Sequence, residues 1–228
     1  MSAPEFSPVT VDLHFHTDAS PDGRTTEQYV DRFLERGTLD IIAITDHDTI
    51  ENALRLKERH PLNIIAGVEV TTAEGELVGL GVTSPIEKHM PAVETAQAIH
   101  AQGGKVMFQH PFHKNGLSGR VAREVQEEEG IDVVEVNNGR DIFKCWYGFW
   151  ARFFASEFDL PMVSNGDTHG PPGVGRSHTS IGRMPDVNDM DDVVDALRNN
   201  QIGRSNRFAG IMALRQPSLA RAEKARVA

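Results

Sequence analysis

The 228-residue sequence contains a single cysteine, Cys145, and that scarcity removes two chemistries at once. An intramolecular disulfide needs a second thiol and a zinc-thiolate cage needs several, so a metal site in this chain has to be built from nitrogen and oxygen. Cys145 itself reads as a small, half-buried thiol. The sequence also lacks any apolar run of about eighteen residues, the length that would mark a membrane-spanning helix. Its start, MSAPEFSPVT, lacks the basic-then-apolar order of a secretory signal. Both absences predict a cytoplasmic chain with no membrane partner. Basic residues are in the minority: 23 Lys and Arg stand against 33 Asp and Glu, a formal charge of -10. That balance repels a phosphate backbone and predicts no stable complex with long nucleic acid. Small phosphorylated molecules are not excluded, because bound cations can neutralise carboxylates that the formal count treats as free. Linkers, repeats and low-complexity tracts are absent, so residues 1–228 read as one domain around one core.

What is present is an alternation of short, β-branched apolar runs with segments of helical period, the pattern of β/α units around a mostly parallel sheet. The strands expected are Val9 to His16, Leu39 to Thr45, Asn63 to Val70, Leu77 to Val82, Lys105 to His110, Ile131 to Val136 and Pro161 to Ser164. Thr25 and Gln28 have capping-box spacing before a helix whose Tyr29, Val30, Phe33 and Leu34 share a face, and Gly37 is placed to stop it. Asp48 and Glu51 repeat the capping signal. Further helices are expected over Pro91 to Gln102, around Glu124 to Glu129, over Phe143 to Phe158 and over Met190 to Asn199. The aromatic cluster Phe143, Trp146, Tyr147, Phe149, Trp150, Phe153 and Phe154 is expected to pack into the core rather than form a binding platform.

Chemistry concentrates at the strand ends, where parallel α/β folds gather their loops on one face. His14 and His16 alternate across Phe15, so period two turns both imidazoles to one side. Asp22 follows in the loop TDASPDG, with Asp18 as the competing carboxylate. The run Ile41 to Ile44 breaks into Thr45, Asp46, His47 and Asp48, of which His47 is the natural ligand. Glu69 ends an apolar strand where a carboxylate is costly to bury without a cation, and it is placed to bridge two metals. His110 stands just before Pro111 at another strand mouth, and Asp167 and His169 stand two apart after the last strand. Each residue alone has an ordinary structural explanation; five strand ends carrying His, Asp or Glu together do not. His60, His89 and His100 fall outside the pattern and read as solvent-facing.

The pieces HFHTDAS, ITDHDT, GVEV, QHPFH and SNGDTH, in this order, resemble the polymerase-and-histidinol-phosphatase (PHP) family, with the match running from about residue 10 to 185. The resemblance implies an α/β fold, a distorted seven-stranded (β/α) barrel with two or three divalent metal ions (Mn, Zn or Fe) clustered at the carboxyl ends of the strands. It also implies phosphoester hydrolysis by a metal-bridged hydroxide, and places the family's ligands on His14, His16, Asp22, His47, Glu69, His110, Asp167 and His169. One departure is Glu76, where relatives acting on nucleotides commonly carry histidine; it is either a further ligand or turned away. Another is the short connection between LVGLGV and QHP, which has no room for an inserted domain and predicts a more open site.

The expected substrate is a small phosphomonoester, a nucleotide bisphosphate or a short phosphodiester such as an oligonucleotide. Arg140 is the first candidate for its phosphate, since guanidinium holds two phosphate oxygens at once, and Arg176 the second. His113 is a further candidate for substrate contact. The loop around Gly170, Gly173 and Gly175 is expected to shape the pocket edge. The acid for the leaving group is open among Asp46, Asp48, His178 and a metal-bound water. Two other classes compete: a metal-dependent amidohydrolase and a non-catalytic metal-binding or partner-binding module. The tail after Gln216, with Arg221, Lys224 and Arg226, reads as a solvated helix, with help in binding a short nucleic acid as the alternative.

Overall fold

Runs such as Ile41-Ile42-Ala43-Ile44, buried on every side chain, suit strands covered on both faces, and the sheet is built from them. The computed structural model of the protein describes residues 7–140, 144–199, 201–206 and 215–227, with the side chains at 144, 145, 202, 206, 226 and 227 outside the description. Phe143 and the Cys145 thiol therefore lie outside the described residues.

The strands are β1 (Val9–Phe15), β2 (Ile41–Ile44), β3 (Ile64–Thr71), β4 (Glu76–Leu80), β5 (Lys105–Phe108), β6 (Val133–Asn138), β7 (Met162–Asn165), β8 (Ser177–Ile181) and β9 (Gln201–Asn206). The helices are α1 (Glu27–Glu35), α2 (Glu51–Arg59), α3 (Ala92–His100), α4 (Gly119–Glu128), α5 (Lys144–Glu157), α6 (Met190–Asn199) and α7 (Gln216–Val227). The sheet order is β7-β6-β5-β4-β3-β2-β1-β8-β9. β1, β2 and β3 are parallel, with Val11 opposite Ile41 and Ile42 opposite Ile64. β4 runs antiparallel between β3 and β5, with Glu69 opposite Val78. β5, β6 and β7 are parallel again.

β7 returns to β1. Leu13 N donates to Asn165 Oδ1 at 2.9 Å, and His16 N donates to the Thr168 carbonyl at 2.9 Å. The fold is thus a distorted, nearly closed β/α barrel. Its first seven strands are those expected, and β8 and β9 are added to them. Those two escaped the sequence reading because SHTSI and QIGRSN carry few apolar residues. Hydrophobic layers fill both sides of the sheet: Val30, Leu56, Ile99, Phe108, Val125 and Phe154 pack beneath α1 to α5 on one face, and Ile41, Ile65, Val78, Met107 and Val133 pack on the other with Val193 and Leu197 of α6.

Helix ends supply two corrections. The Thr25–Gln28 box does not form; Thr26 takes the cap position of α1 without a side-chain hydrogen bond, although Gly37 stops that helix at φ +59° as expected. Asp48 does not cap α2 but accepts from Thr71 N and Oγ1 at 2.8 and 3.1 Å, tying the end of β2 to β3. The aromatic helix is the third correction. Phe154 is buried, while Trp146, Phe149, Trp150 and Phe153 are exposed along one stripe, because a helix on the barrel's outside has one face to bury and α5 carries aromatics on both.

Candidate metal centre

Period two on β1 brings the rings of His14 and His16 to 5.1 Å, both fully buried at the strand's carboxyl end. His47, just past β2, lies 4.7 Å from the His16 ring, His169, past β7, lies 4.1 Å from it, and His110, past β5, lies 5.5 Å from His14. Glu69 stands among them. Its Oε2 is 3.2 Å from His16 Nε2, 3.4 Å from His14 Nε2 and 3.3 Å from His47 Nδ1, and its Oε1 is 3.0 Å from His110 Nε2. Asp167 Oδ1 lies 3.5 Å from His16 Nε2, and Asp22 Oδ1 lies 3.3 Å from His169 Nε2.

Local chemistry fixes these positions. The loop carrying Asp22 turns back so tightly at Gly23 that any Cβ there would collide with the Thr17 carbonyl. Ser20 Oγ in the same loop accepts from His47 N at 2.9 Å and sits 3.1 Å from His16 Nδ1. His110 and Asp167 hold φ at +26° and +47°, left-handed values that cost roughly 1–3 kcal/mol each in non-glycine residues and persist where surroundings enforce them.

The imidazole orientations decide what the cluster can hold. His14 Nδ1 is 3.3 Å from Glu135 Oε1, and His169 Nδ1 is 3.0 Å from the Asp167 carbonyl, so each outer nitrogen donates its proton away from the centre. Arg140 Nη1 also lies 3.1 Å from His169 Nδ1, but two donors cannot share a bond, and the carbonyl is the acceptor. The inner nitrogens, His14 Nε2 and His169 Nε2, then face carboxylate oxygens of Glu69 and Asp22 at 3.4 and 3.3 Å. Each such contact needs positive charge at the nitrogen, supplied by a proton in the metal-free chain or by an ion that displaces it. His16 Nε2, Asp22 Oδ1 and His110 Nδ1 are buried with no aligned hydrogen bond. Outer N–H to carboxylate or carbonyl and inner nitrogen to ion is the arrangement of metal-ligating histidine. Four groups of donors lie within 4.8 Å: His16 with Asp22, His47 and His169; His14 with His16 and Glu69; His14 with His110 and Asp167; Glu69 with Glu76 and His110. Mixed imidazole and carboxylate sets of this kind fit divalent ions.

The charges respond to this crowding. Burial would raise the Glu69 carboxyl, but His47, His14 and the His110 hydrogen bond hold it well below the usual carboxylate range. Burial would lower His14, but Glu69, Asp167 and Glu135 keep its proton well above the ordinary imidazole value. Burial and the neighbouring Glu69 push Glu76 up to about 7. Its Oε2 sits 3.7 Å from His110 Nε2, so Glu76 faces the cluster.

Above the cluster is a cavity of about 220 Å³ lined by Asp22, His47, Glu69, Glu76, His110 and Asp167, together with His113, Tyr147, Arg140 and Arg221. Arg140 Nη1 lies 3.2 Å from both Asp167 oxygens. His113 contacts the rings of His110 at 5.9 Å and Tyr147 at 5.6 Å. Other expected residues lie elsewhere. Asp46 spends both oxygens on Thr17 N and Oγ1, at 2.6 Å each, and shapes the loop instead of facing the cavity. Asp18 is turned to Asn52 Nδ2 at 3.4 Å. His178 is held within β8 with Nδ1 3.0 Å from the Gly175 carbonyl, and Arg176 Nε donates to the Pro172 carbonyl at 3.0 Å. The glycine-rich loop backs onto Gln216 of α7 and does not line the cavity.

Glu135 is the main omission of the sequence reading. It bonds His14, His110 N at 2.7 Å and the side-chain amides of Asn138 and Asn165 at 3.0 Å each. The signal was available, since a carboxylate between Val134 and Val136 is the same anomaly that marked Glu69. Arg221 was the other omission, and α7 is no solvated tail: Arg24 clamps Glu223 at 3.0 and 2.7 Å, and Lys224 reaches the Asp18 carbonyl at 2.7 Å. This helix walls the Asp22 side of the cavity.

Residues 149–202 match a family described as PHP-associated. An uncharacterised protein of Methanocaldococcus jannaschii is 30% identical over 117 residues, covering 46% of this chain and 68% of that protein. The chain belongs to the PHP family. Two solved structures share the PHP fold at lower identity. A two-domain protein of Bacteroides vulgatus, containing a predicted PHP-like metal-dependent phosphoesterase, superposes with a TM-score of 0.70 at 18% identity over 94% of this chain and 70% of its own. A protein of Bifidobacterium adolescentis assigned as a metal-dependent phosphoesterase gives a TM-score of 0.57 at 17% identity over 82% of this chain and 95% of its own. Among the described residues, no helix is long and apolar enough to cross a membrane.

Proposed function

We propose that this PHP chain hydrolyses phosphoesters of small molecules, using two or three divalent ions of the manganese, zinc or iron type. The observation that carries the reading is the opposition of inner imidazole nitrogens to carboxylate oxygens, with the outer nitrogens committed to Glu135 and the Asp167 carbonyl. The ligands would be His14, His16, Asp22, His47, Glu69, His110, Asp167 and His169, with Glu76 completing a third position beside His110. Bound there, such ions would supply Lewis acidity toward the phosphate and activate water near neutral pH, so no protein nucleophile would be needed.

The chain's own residues do the rest. Glu135, itself held by Asn138 and Asn165, locks the His14 ring and the His110 backbone. Arg140 reaches the cavity from above Asp167 and holds nonbridging phosphate oxygens, and His113 lines the same wall with Tyr147. An amidohydrolase using a carbamylated lysine is disfavoured, because no lysine lines the cavity among the described residues.

Phosphate release from nucleoside monophosphates, bisphosphates, cyclic phosphates, sugar phosphates and histidinol phosphate tests the reading. The comparison is manganese- or zinc-loaded protein against an Asp167→Ala, His169→Ala double variant. Turnover confined to the wild type is expected; none from metal-replete protein on any ester would sink the proposal.

A further inference from the structure

Arg221 projects from α7 into the lining of the cavity, and its guanidinium is 68% exposed. Among the described residues its hydrogen bond goes to Asp22 Oδ2 at 2.9 Å, while Oδ1 of the same carboxylate faces His169 and His47. A guanidinium carries five N–H donors in a planar fork, so most of Arg221 is unspent at the cavity mouth. Its backbone is held independently of that contact, by the Arg24–Glu223 fork, the Arg24–Gln216 bond at 2.9 Å and Lys224 on the loop carbonyls. The side chain is therefore not required merely to dock the helix.

The electrostatics indicate what the fork is for. Asp22, Glu69, Glu76, Glu135 and Asp167 all line the cavity, and Arg140 and Arg221 are the two guanidiniums set against them. Once ions occupy the carboxylates, those two side chains are left facing an anion. A terminal phosphate carries roughly -1.5 to -2 at neutral pH, whereas an internal diester carries a single charge, so a second guanidinium favours the former. Size points the same way: about 220 Å³ is below the ~300 Å³ at which small-molecule pockets begin, and α7 closes one side against a chain running through.

We propose that Arg221 is a specificity-determining residue which, with Arg140, binds the terminal phosphate, so that the centre selects phosphomonoesters over phosphodiesters. This rests on the phosphoesterase reading above.

The test compares Arg221→Ala, Arg221→Lys and Arg24→Ala in the metal-loaded full chain. The first readout is calorimetric titration with inorganic phosphate, which needs no turnover. The second is hydrolysis of p-nitrophenyl phosphate against bis(p-nitrophenyl) phosphate, with bound metal quantified in each variant. Arg221→Ala is expected to weaken phosphate binding and raise KM for the monoester about tenfold or more with little change in kcat, because one charge-assisted fork is lost. The diester rate should be spared, metal content unchanged, and Arg221→Lys should recover part of the binding. Arg24→Ala, which loosens α7 without touching the cavity, should have a much smaller effect. Equal losses in Arg24→Ala and Arg221→Ala would reduce Arg221 to an anchor and overturn the proposal, as would unchanged phosphate affinity in Arg221→Ala. If the wild type hydrolyses neither these two esters nor any of the panel above, the phosphoesterase reading falls, and the phosphate titration still decides the role of Arg221.

Discussion

Two charge clusters occupy this molecule, and they are built on opposite principles. On the surface between α1 and α2, Glu27 meets Arg55 and Arg59, and Asp31 meets Arg59 and His60 at 2.6 and 2.7 Å. Every charge there has a partner within the cluster. At the barrel mouth, five carboxylates and five imidazoles crowd together with buried atoms left unmatched. A cluster that closes on itself needs nothing further; one that gathers ring nitrogens and carboxylates around shared centres, with buried atoms left unmatched, is laid out to receive cations. Density of charged residues is therefore a poor guide to function, and the unmatched remainder is a good one.

The comparison breaks most severely at Glu69, whose two oxygens serve four histidines. Glu69→Gln should reduce turnover by more than about 100-fold, beyond the loss that follows removal of an outer-shell partner, with bound metal falling in parallel; Glu27→Gln should leave both unchanged. Wild-type turnover in Glu69→Gln would mean the buried cluster is not the centre.

A smaller effect comes from protons. In the metal-free chain, burial lowers His110 and His169 while their carboxylate neighbours raise them more, so both, like His14, keep their protons above the ordinary value of 6.5. A raised imidazole contributes stability below its unfolded value and loses it as pH rises through its folded value. Metal uptake must expel these protons, so affinity should tighten with rising pH. The melting difference between loaded and metal-free protein should widen from about pH 6 to about pH 8, reaching about 2.7 kcal/mol where free ion is 100 times Kd. Calorimetry in buffers of different ionisation enthalpy measures the protons released; none released would contradict the assignment.

The smallest effect belongs to the surface cluster. Arg59→Ala should cost no more than about 1 kcal/mol in urea unfolding and weaken further in its effect at high salt, because exposed pairs are screened. A cost of several kcal/mol would show that the two clusters are not so different in kind.

Much of this was legible in the sequence, for a physical reason. A strand fixes where alternate side chains point, so His14 and His16, or a carboxylate such as Glu69 in an apolar run, announce their neighbourhood from local pattern alone. Residues whose role depends on tertiary approach were not legible. Arg221 reaches Asp22 across 199 positions, and no local period encodes that meeting. Asp46 misled because its place beside His47 is compatible with either the cavity or the loop, and only the approach of Thr17 decides. β8 and β9 failed to register because their strand character comes from pairing, β8 on β1 and β9 on β8, rather than from an apolar run.

The seam of the barrel is the segment carrying Asp167 and His169, joined to the first strand by His16 N on the Thr168 carbonyl and Arg24 N on the His169 carbonyl. Contacts across so long a stretch of chain carry a heavy loop-closure cost and tend to form late. A chain still emerging or partly unfolded thus offers scattered histidines and no assembled centre. Under the metal-centre reading, ion capture would wait until β7 has met β1, so that quality control of the fold and licensing of the chemistry would be one event.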